Sequence, residues 1–168
     1  MSRKYLNDKY CVRCGRKNEC PYLRDNYKVL LEGCENRTVN VIDVGCGNGR
    51  NSEFMKNKGC FVISVDMVND YGAKSILGKD KLPVEDGSID VILCNYLMMF
   101  LNKKERNQLI NEFKRVASEN CIIMLELYPA KDSFAKTKED MLKMQKDIFD
   151  KIGWTKIRYS QSRFIAKK

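Results

Sequence analysis

The chain has 168 residues and a formal net charge of +9, a length that suits one domain. Apolar residues make up 43% of the chain, enough for a buried core, and no apolar run reaches the roughly 18 residues that a membrane span needs. The polar N-terminus lacks the apolar segment of a secretion signal, so we expect a cytoplasmic protein with reduced thiols and no membrane contact.

Short apolar runs alternate with amphipathic segments along most of the chain. Runs rich in β-branched and apolar residues predict four strands: 39–44, 60–66, 90–96 and 120–128. Amphipathic periodicity predicts four helices: 25–32, 49–58, 103–117 and 133–152. The last segments, 153–160 and 162–168, are typical of an antiparallel pair. Strands that alternate with helices predict an α/β fold, in which a mostly parallel sheet carries helices on both faces.

The N-terminal segment differs from the rest in its cysteine content, so we divide the chain into 1–36, a Cys-rich extension or lid, and 37–168, the α/β domain. Four thiols in and beside YCVRCGRKNECPYL are candidate ligands of a structural zinc ion: Cys11, Cys14, Cys20 and Cys34. The alternative is a covering segment with free thiols. Because positive charge is concentrated at both ends of the chain, either end is suited to an anionic partner.

The stretch VIDVGCGNGR, residues 41–50, runs from a predicted strand into Gly45, Gly47 and Gly49. Glycines at this spacing permit positive φ and a close approach to the backbone. The spacing fits neither the dinucleotide fingerprint nor the phosphate-binding loop. Asp66, at the end of the next predicted strand, is placed to accept both hydroxyls of a ribose. Asp43 beside the loop favours a ligand with a positive charge, so we predict a nucleoside with a cationic tail.

Two motifs resemble those of class I S-adenosylmethionine-dependent methyltransferases: DVGCGNG at 43–49 and LPVEDGSIDVILCNYLMMFL at 82–101. Residues 97–116 are also similar to the tellurite-resistance and ubiquinone-biosynthesis branches of that family. The resemblance implies a Rossmann-like, seven-stranded sheet with an antiparallel final strand. It implies S-adenosylmethionine as the methyl donor.

The resemblance also assigns roles to individual residues. Four would line the methionine part of the cofactor: Asp43, Gly45, Gly47 and Gly49. Asp66 would bind the ribose, and Met67 would lie beside the adenine. The acid that the family usually has four residues before the Leu of its LPF motif is absent at Gly78, so either Asp80 would take its place or a backbone amide alone would hold the adenine. Asn95 and Tyr96 would lie on the sulfonium side of the pocket.

A methyl group on a sulfonium is already activated, so the enzyme mainly aligns the nucleophile and excludes water. The absence of histidine is therefore no obstacle, because a general base is needed only for a nucleophile that carries a proton. The candidate catalytic residues stand at the carboxyl ends of strands 90–96 and 120–128: Asn95, Tyr96, Glu126 and Tyr128.

The acceptor is predicted to be a small molecule. The residues after the strand 90–96 read N-Y-L-M, which matches neither pattern of the DNA methyltransferases, and the apolar residues there favour a partly apolar acceptor. RNA is the alternative, favoured by the charge of +9 and the cysteine cluster. A protein that binds the cofactor without catalysis is the third hypothesis.

Overall fold

The computed structural model describes residues 18–67, 74–75, 81–129 and 133–168, and for 74–75 the backbone alone. One sheet of seven strands organises the fold, and its third strand has two residues. In chain order the strands are β1 Asn40–Val44, β2 Phe61–Asp66, β3 Lys74–Ser75, β4 Ile89–Asn95, β5 Ala117–Glu126, β6 Thr155–Tyr159 and β7 Arg163–Lys167.

The order across the sheet is β3-β2-β1-β4-β5-β7-β6. Every pair of neighbours is parallel except the two pairs that β7 makes, with β5 and with β6. The prediction of a Rossmann-like, mostly parallel α/β sheet with an antiparallel final strand is confirmed.

Four helices accompany the sheet within the described residues. They are α1 Pro21–Leu30, α2 Arg50–Lys56, α3 Lys103–Val116 and α4 Lys138–Ile152, with a 3₁₀ turn at Met98–Phe100. Capping boxes open α3 at Asn102 and α4 at Thr137, and the second explains why α4 begins later than the predicted 133. By contrast, α1 begins earlier than the predicted 25, because Pro21 is tolerated in a first helical turn.

Side chains alternate between two apolar clusters on the two faces of the sheet. In β4, Val91 and Leu93 face the cluster that contains residues of α1 and α2. Ile92 and Cys94 face the cluster that contains residues of α3 and α4. Alternation of period two in a strand produces this division, and it also fixes which polar side chains share a face at the strand ends. Four cysteines of the α/β domain are also buried: Cys46, Cys60, Cys94 and Cys121.

The helix α1 is firmly packed against the sheet. Its Leu23 is 0% exposed and its Leu30 is 1% exposed, and both lie in the cluster with Val41, Met124 and Ile165 of three different strands. The described part of the predicted extension therefore packs against one face of the sheet and covers it. Across the described ranges, no helix has the length and apolar character to cross a membrane.

Candidate active site

Polar side chains replace apolar ones at the carboxyl ends of neighbouring strands, on the face covered by α1 and α2. Asp43 of β1 is opposite Leu93 of β4 in the register, so Asn95, two residues on, shares the face of Asp43. Asn95 is opposite Glu126 of β5, and Glu126 is opposite Arg163 of β7. The strand register thus aligns Asn95, Glu126 and Arg163 in a row across three adjacent strands.

The glycine loop turns directly after β1. The backbone N–H groups of Gly45 and Cys46 both donate to the carbonyl oxygen of Val65, at 2.8 and 3.2 Å. Gly45 has a φ of +79°, and a Cβ there would lie 2.9 Å from the Cβ of Leu97. Gly47 and Gly49 also have positive φ, of +55° and +76°, but a Cβ on either would have no atom of the described residues within 4 Å. Within that part of the chain, the loop is therefore closed on its Leu97 side and open above Gly47 and Gly49.

The two predicted acids occupy different positions relative to this loop. Asp66 lies beside it, and its Oδ2 accepts a hydrogen bond from the N–H of Gly47 at 2.8 Å. Asp43 lies beneath it with 1% of its surface exposed, and its Oδ2 accepts from the Ser52 hydroxyl at 2.6 Å. The Ser64 hydroxyl in turn donates to that of Ser52 at 2.8 Å.

Asp43 is a buried carboxyl whose ionisation is opposed by its surroundings. Burial raises the pKa of Asp43 to about 6, and the nearby Asp66 adds to the increase. The hydrogen bonds from Ser52 and the charge of Arg50 limit it. A cationic group above Asp43 would lower this pKa again, so the acid is well suited to bind one.

Glu126 is the centre of a second polar cluster, beside the loop. Its Oε2 accepts hydrogen bonds from the thiol of Cys20 at 2.6 Å and from the amide of Asn95 at 2.9 Å. The backbone N–H of Cys20 donates to Asn51 Oδ1 at 2.8 Å, and the amide of Asn51 donates to Asn95 Oδ1 at 3.4 Å. Burial, together with the hydrogen bond to Glu126, raises the pKa of Cys20 to about 11, so its thiol remains protonated and donates.

Tyr96 joins this cluster through an unusual backbone conformation. Its φ of +62° is the one positive value at a non-glycine residue within the described ranges, a strained conformation typical of functional sites. Its N–H donates to the carbonyl oxygen of Glu126 at 2.9 Å. Burial raises the pKa of Tyr96, and the Glu126 carboxylate and the Cys20 thiol raise it further. Its phenol is therefore neutral and close to both groups.

Arg163 and Tyr22 complete the far side of the cluster. Arg163 Nη1 lies 3.5 Å from Glu126 Oε1, and its guanidinium carbon lies 4.5 Å above the ring centre of Tyr22 on α1. Neither residue was predicted from the sequence as part of the site, and Cys20 was predicted only as a zinc ligand. The alternation of side chains along 120–128 and 162–168 was the available signal for Arg163.

Several predicted site residues lie elsewhere or outside the described ranges. Tyr128 is 64% exposed, because β5 ends at Glu126, and its N–H donates to Met99 Sδ at 3.2 Å. Met67 follows Asp66 directly and is half-buried. Asp80 lies outside the described residues.

The described residues give no support to the zinc prediction. Cys11 and Cys14 lie outside them. The thiol of Cys20 is engaged by Glu126, whereas Cys34 accepts a hydrogen bond from Arg37 at 3.5 Å. Within 18–67, 81–129 and 133–168 there is no group of three or more His, Cys, Asp or Glu side chains that would hold a metal ion.

Known protein families provide an independent comparison. Residues 42–125, half of the chain, match a family described as a methyltransferase domain. The chain belongs to the methyltransferase domain family. The match includes the glycine loop, Asp66 and Asn95, and it ends one residue before Glu126. No curated protein matches the sequence significantly.

Solved structures share the fold over nearly the whole chain. A protein from Pyrococcus horikoshii OT3 aligns with a TM-score of 0.65 at 14% identity, over 99% of this chain and 98% of that one. A SAM dependent methyltransferase from Archaeoglobus fulgidus aligns with a TM-score of 0.64 at 16% identity, over 88% and 91%.

A third similar structure contains ligands. It is the 1,6-didemethyltoxoflavin-N1-methyltransferase of Burkholderia thailandensis with bound 1,6-didemethyltoxoflavin and S-adenosylhomocysteine, with a TM-score of 0.60 at 12% identity, over 88% of this chain and 78% of that one. At these identities the three structures show a shared fold. Together with the family match, they confirm the prediction of a class I, S-adenosylmethionine-dependent methyltransferase.

Proposed function

We propose that this methyltransferase moves the methyl group of S-adenosylmethionine to a small-molecule acceptor held at Glu126. One observation carries the proposal. The open glycine loop beside Asp66 and the buried Asn95–Glu126 pair lie on the same face of the sheet, at the carboxyl ends of neighbouring strands. A nucleoside site and a polar acceptor site are therefore adjacent, which is the arrangement that a transfer between two bound molecules requires.

The residues present fit S-adenosylmethionine. Among the residues that the structure describes, none lies within 4 Å of a Cβ placed on Gly47 or Gly49, which leaves room for a ligand to approach the backbone closely. Asp66 stands at the end of β2, where a carboxylate accepts hydrogen bonds from ribose hydroxyls. Asp43 offers a negative charge below the loop to an ammonium or sulfonium group. Met67, and Asp80 as a sequence-based prediction, are the candidates for contact with the adenine.

The acceptor side of the site orients a nucleophile and receives its proton. Bound S-adenosylmethionine supplies an activated methyl group on a sulfonium. The acceptor's nitrogen or oxygen forms a bond to the methyl carbon as the carbon–sulfur bond breaks, with its electron pair remaining on sulfur. The proton of the nucleophile passes to Glu126, whose Oε1 lies 3.5 Å from Arg163 Nη1. Asn95 and Tyr96 hold the carboxylate in place.

The helix α1 supports a small acceptor. Its N-cap Cys20 and its first-turn Tyr22 are both buried against the acceptor cluster, and they exclude water from Glu126. The Burkholderia thailandensis structure holds a small heterocycle as its second ligand, which supports the same class of acceptor here. RNA is the second candidate because the chain carries a charge of +9. Binding to RNA that falls steeply with added salt would favour it.

The test of this function separates binding from turnover. Wild type and Glu126→Gln are incubated with S-adenosylmethionine and a panel of small amines, phenols and acids, and the S-adenosylhomocysteine formed is measured. We expect Glu126→Gln to lower the turnover rate by about 10²–10⁴-fold and to leave the affinity for S-adenosylhomocysteine unchanged. Cofactor binding without turnover over the whole panel would instead favour a protein that binds the cofactor without catalysis.

Narrower predictions from the sequence stand as proposals beside this one. Residues 97–116 support placement near the tellurite-resistance and ubiquinone-biosynthesis branches, and the cytoplasmic location stays a prediction. The division into 1–36 and 37–168 is also a proposal. Structural zinc is not part of the proposal, because Cys20 would have to release Glu126 to bind it. About one zinc per protein in a metal analysis of the full chain would show that the protein does bind the ion.

A further inference from the structure

Arg163 has unused hydrogen-bonding capacity at the acceptor end of the site. A guanidinium carries five N–H donors, yet within the described residues its only hydrogen-bond or ion-pair partner is Glu126 Oε1, at 3.5 Å. The side chain is 42% exposed, so its remaining donors face solvent beside the acceptor cluster. A donor fork of this kind matches a carboxylate or a phosphate group.

The helix α1 holds this guanidinium in place. The Tyr22 ring, itself buried, lies under Arg163 with the guanidinium carbon 4.5 Å from the ring centre, a distance at which the cation and the ring attract each other. One helical turn further, Asn26 Oδ1 accepts from Arg158 Nη1 at 2.6 Å. Two arginines therefore lie on one face of α1. Burial raises the pKa of Tyr22, and the charges of Arg163 and Arg158 oppose that increase, as expected for cations close to its hydroxyl.

The strand register sets the distance between this cation and the reacting atoms. Arg163, Glu126 and Asn95 are aligned across β7, β5 and β4, and neighbouring strands lie about 5 Å apart. An anionic group at Arg163 therefore leaves the rest of its molecule over Glu126 and Asn95 at one to two strand spacings, about 5–10 Å. That span suits a small acid in which one ring or a short chain separates the anionic group from the nucleophile.

We propose that Arg163 binds an anionic group of the acceptor, so that the substrate is a small carboxylic acid or phosphate monoester with an N–H or O–H nucleophile. This inference rests on the proposed methyl transfer, and it assigns Arg163 to substrate selection. When Arg163 turns to the anion, Glu126 Oε1 is released to receive the proton of the nucleophile.

The experiment compares matched ligands that differ in one anionic group. The pairs are aminobenzoates against the corresponding aminobenzamides, and aminophenyl phosphates against aminophenols. Dissociation constants are measured by ligand-observed NMR on the full chain, with and without S-adenosylhomocysteine, for wild type, Arg163→Gln and Arg163→Lys. Arg24→Gln is the control, because Arg24 lies on the exposed side of α1 and its removal changes the net charge equally.

In wild type and Arg24→Gln we expect the anionic member of at least one pair to bind about tenfold more tightly than its neutral partner. Arg163→Gln should abolish this preference, and Arg163→Lys should keep part of it. The relative effect on carboxylates and phosphates then identifies the anion. The proposal is overturned if wild type shows no anion preference, or if Arg163→Gln retains it. Calorimetry with S-adenosylhomocysteine reports separately on the proposed function, and its outcome does not depend on Arg163.

Discussion

The buried carboxyl of Asp43 provides a quantitative prediction, because stability and cofactor binding make opposite demands on it. We consider Asp43→Asn. The amide would accept the N–H of Ser52 and donate to its hydroxyl, and the Ser52–Ser64 hydrogen bond would persist with the hydroxyls rotated. The substitution therefore removes a buried charge and keeps the hydrogen bonds, so the free protein should become more stable at neutral pH.

The size of the effect follows from the pKa of Asp43, raised from 3.8 to about 6 by burial. Because the folded-state pKa lies above the unfolded one, the acid favours folding below pH 4, and this contribution is lost as the pH rises through about 6. A shift of about two pH units corresponds to about 3 kcal/mol. At pH 7.5, Asp43→Asn should gain about this free energy of unfolding, or roughly 6–12 °C in Tm, and near pH 4 nearly none.

Urea denaturation of both proteins at a series of pH values from 4 to 7.5 measures the gain, and calorimetry measures the affinity for S-adenosylmethionine. We expect the variant to bind about tenfold more weakly or worse, because the charge below the cationic group is lost. An Asp43→Asn protein that is less stable than wild type at pH 7.5, or equally stable from pH 4 to 7.5, would refute the reasoning.

Two further predictions concern the loop and the thiol. Gly45→Ala should lower the free energy of unfolding by about 2–4 kcal/mol, because its Cβ would lie 2.9 Å from that of Leu97 at a φ of +79°. The control Gly59→Ala has a similar φ of +83° and its Cβ would have no atom of the described residues within 4 Å, so it should lose about 1–2 kcal/mol. Equal losses in urea denaturation would contradict the steric argument. In native protein at pH 7.5, iodoacetamide should alkylate Cys20 about a hundredfold more slowly than the half-buried Cys34, because burial and Glu126 raise the pKa of Cys20 to about 11. Mass spectrometry resolves the two sites, and comparable rates would contradict the contact with Glu126.

The sheet and its helices could be predicted from the sequence because they follow local periodicity. The apolar runs near 39–44 and 90–96 and the amphipathic segments 103–117 and 133–152 each carry enough signal to place an element to within a few residues. The glycine loop was predictable as well, since its special residues are contiguous.

The acceptor cluster could not be assembled from the sequence. Cys20 and Glu126 are 106 residues apart, and their contact depends on how α1 packs against the sheet. Arg163 meets Glu126 only through the register of β5 and β7. The position of Tyr128 could not be predicted for a different reason. Alternation would place its side chain on the face of Glu126 if the strand continued, but β5 ends at Glu126.

Calorimetric titration of wild type and Asp66→Asn with S-adenosylhomocysteine, with NAD and ATP as control ligands, tests the central claim most directly. We expect one site per chain for S-adenosylhomocysteine, no binding of either control, and an affinity about tenfold or more weaker in Asp66→Asn. Equal affinity in the two proteins, or binding of NAD in preference to S-adenosylhomocysteine, would contradict that claim.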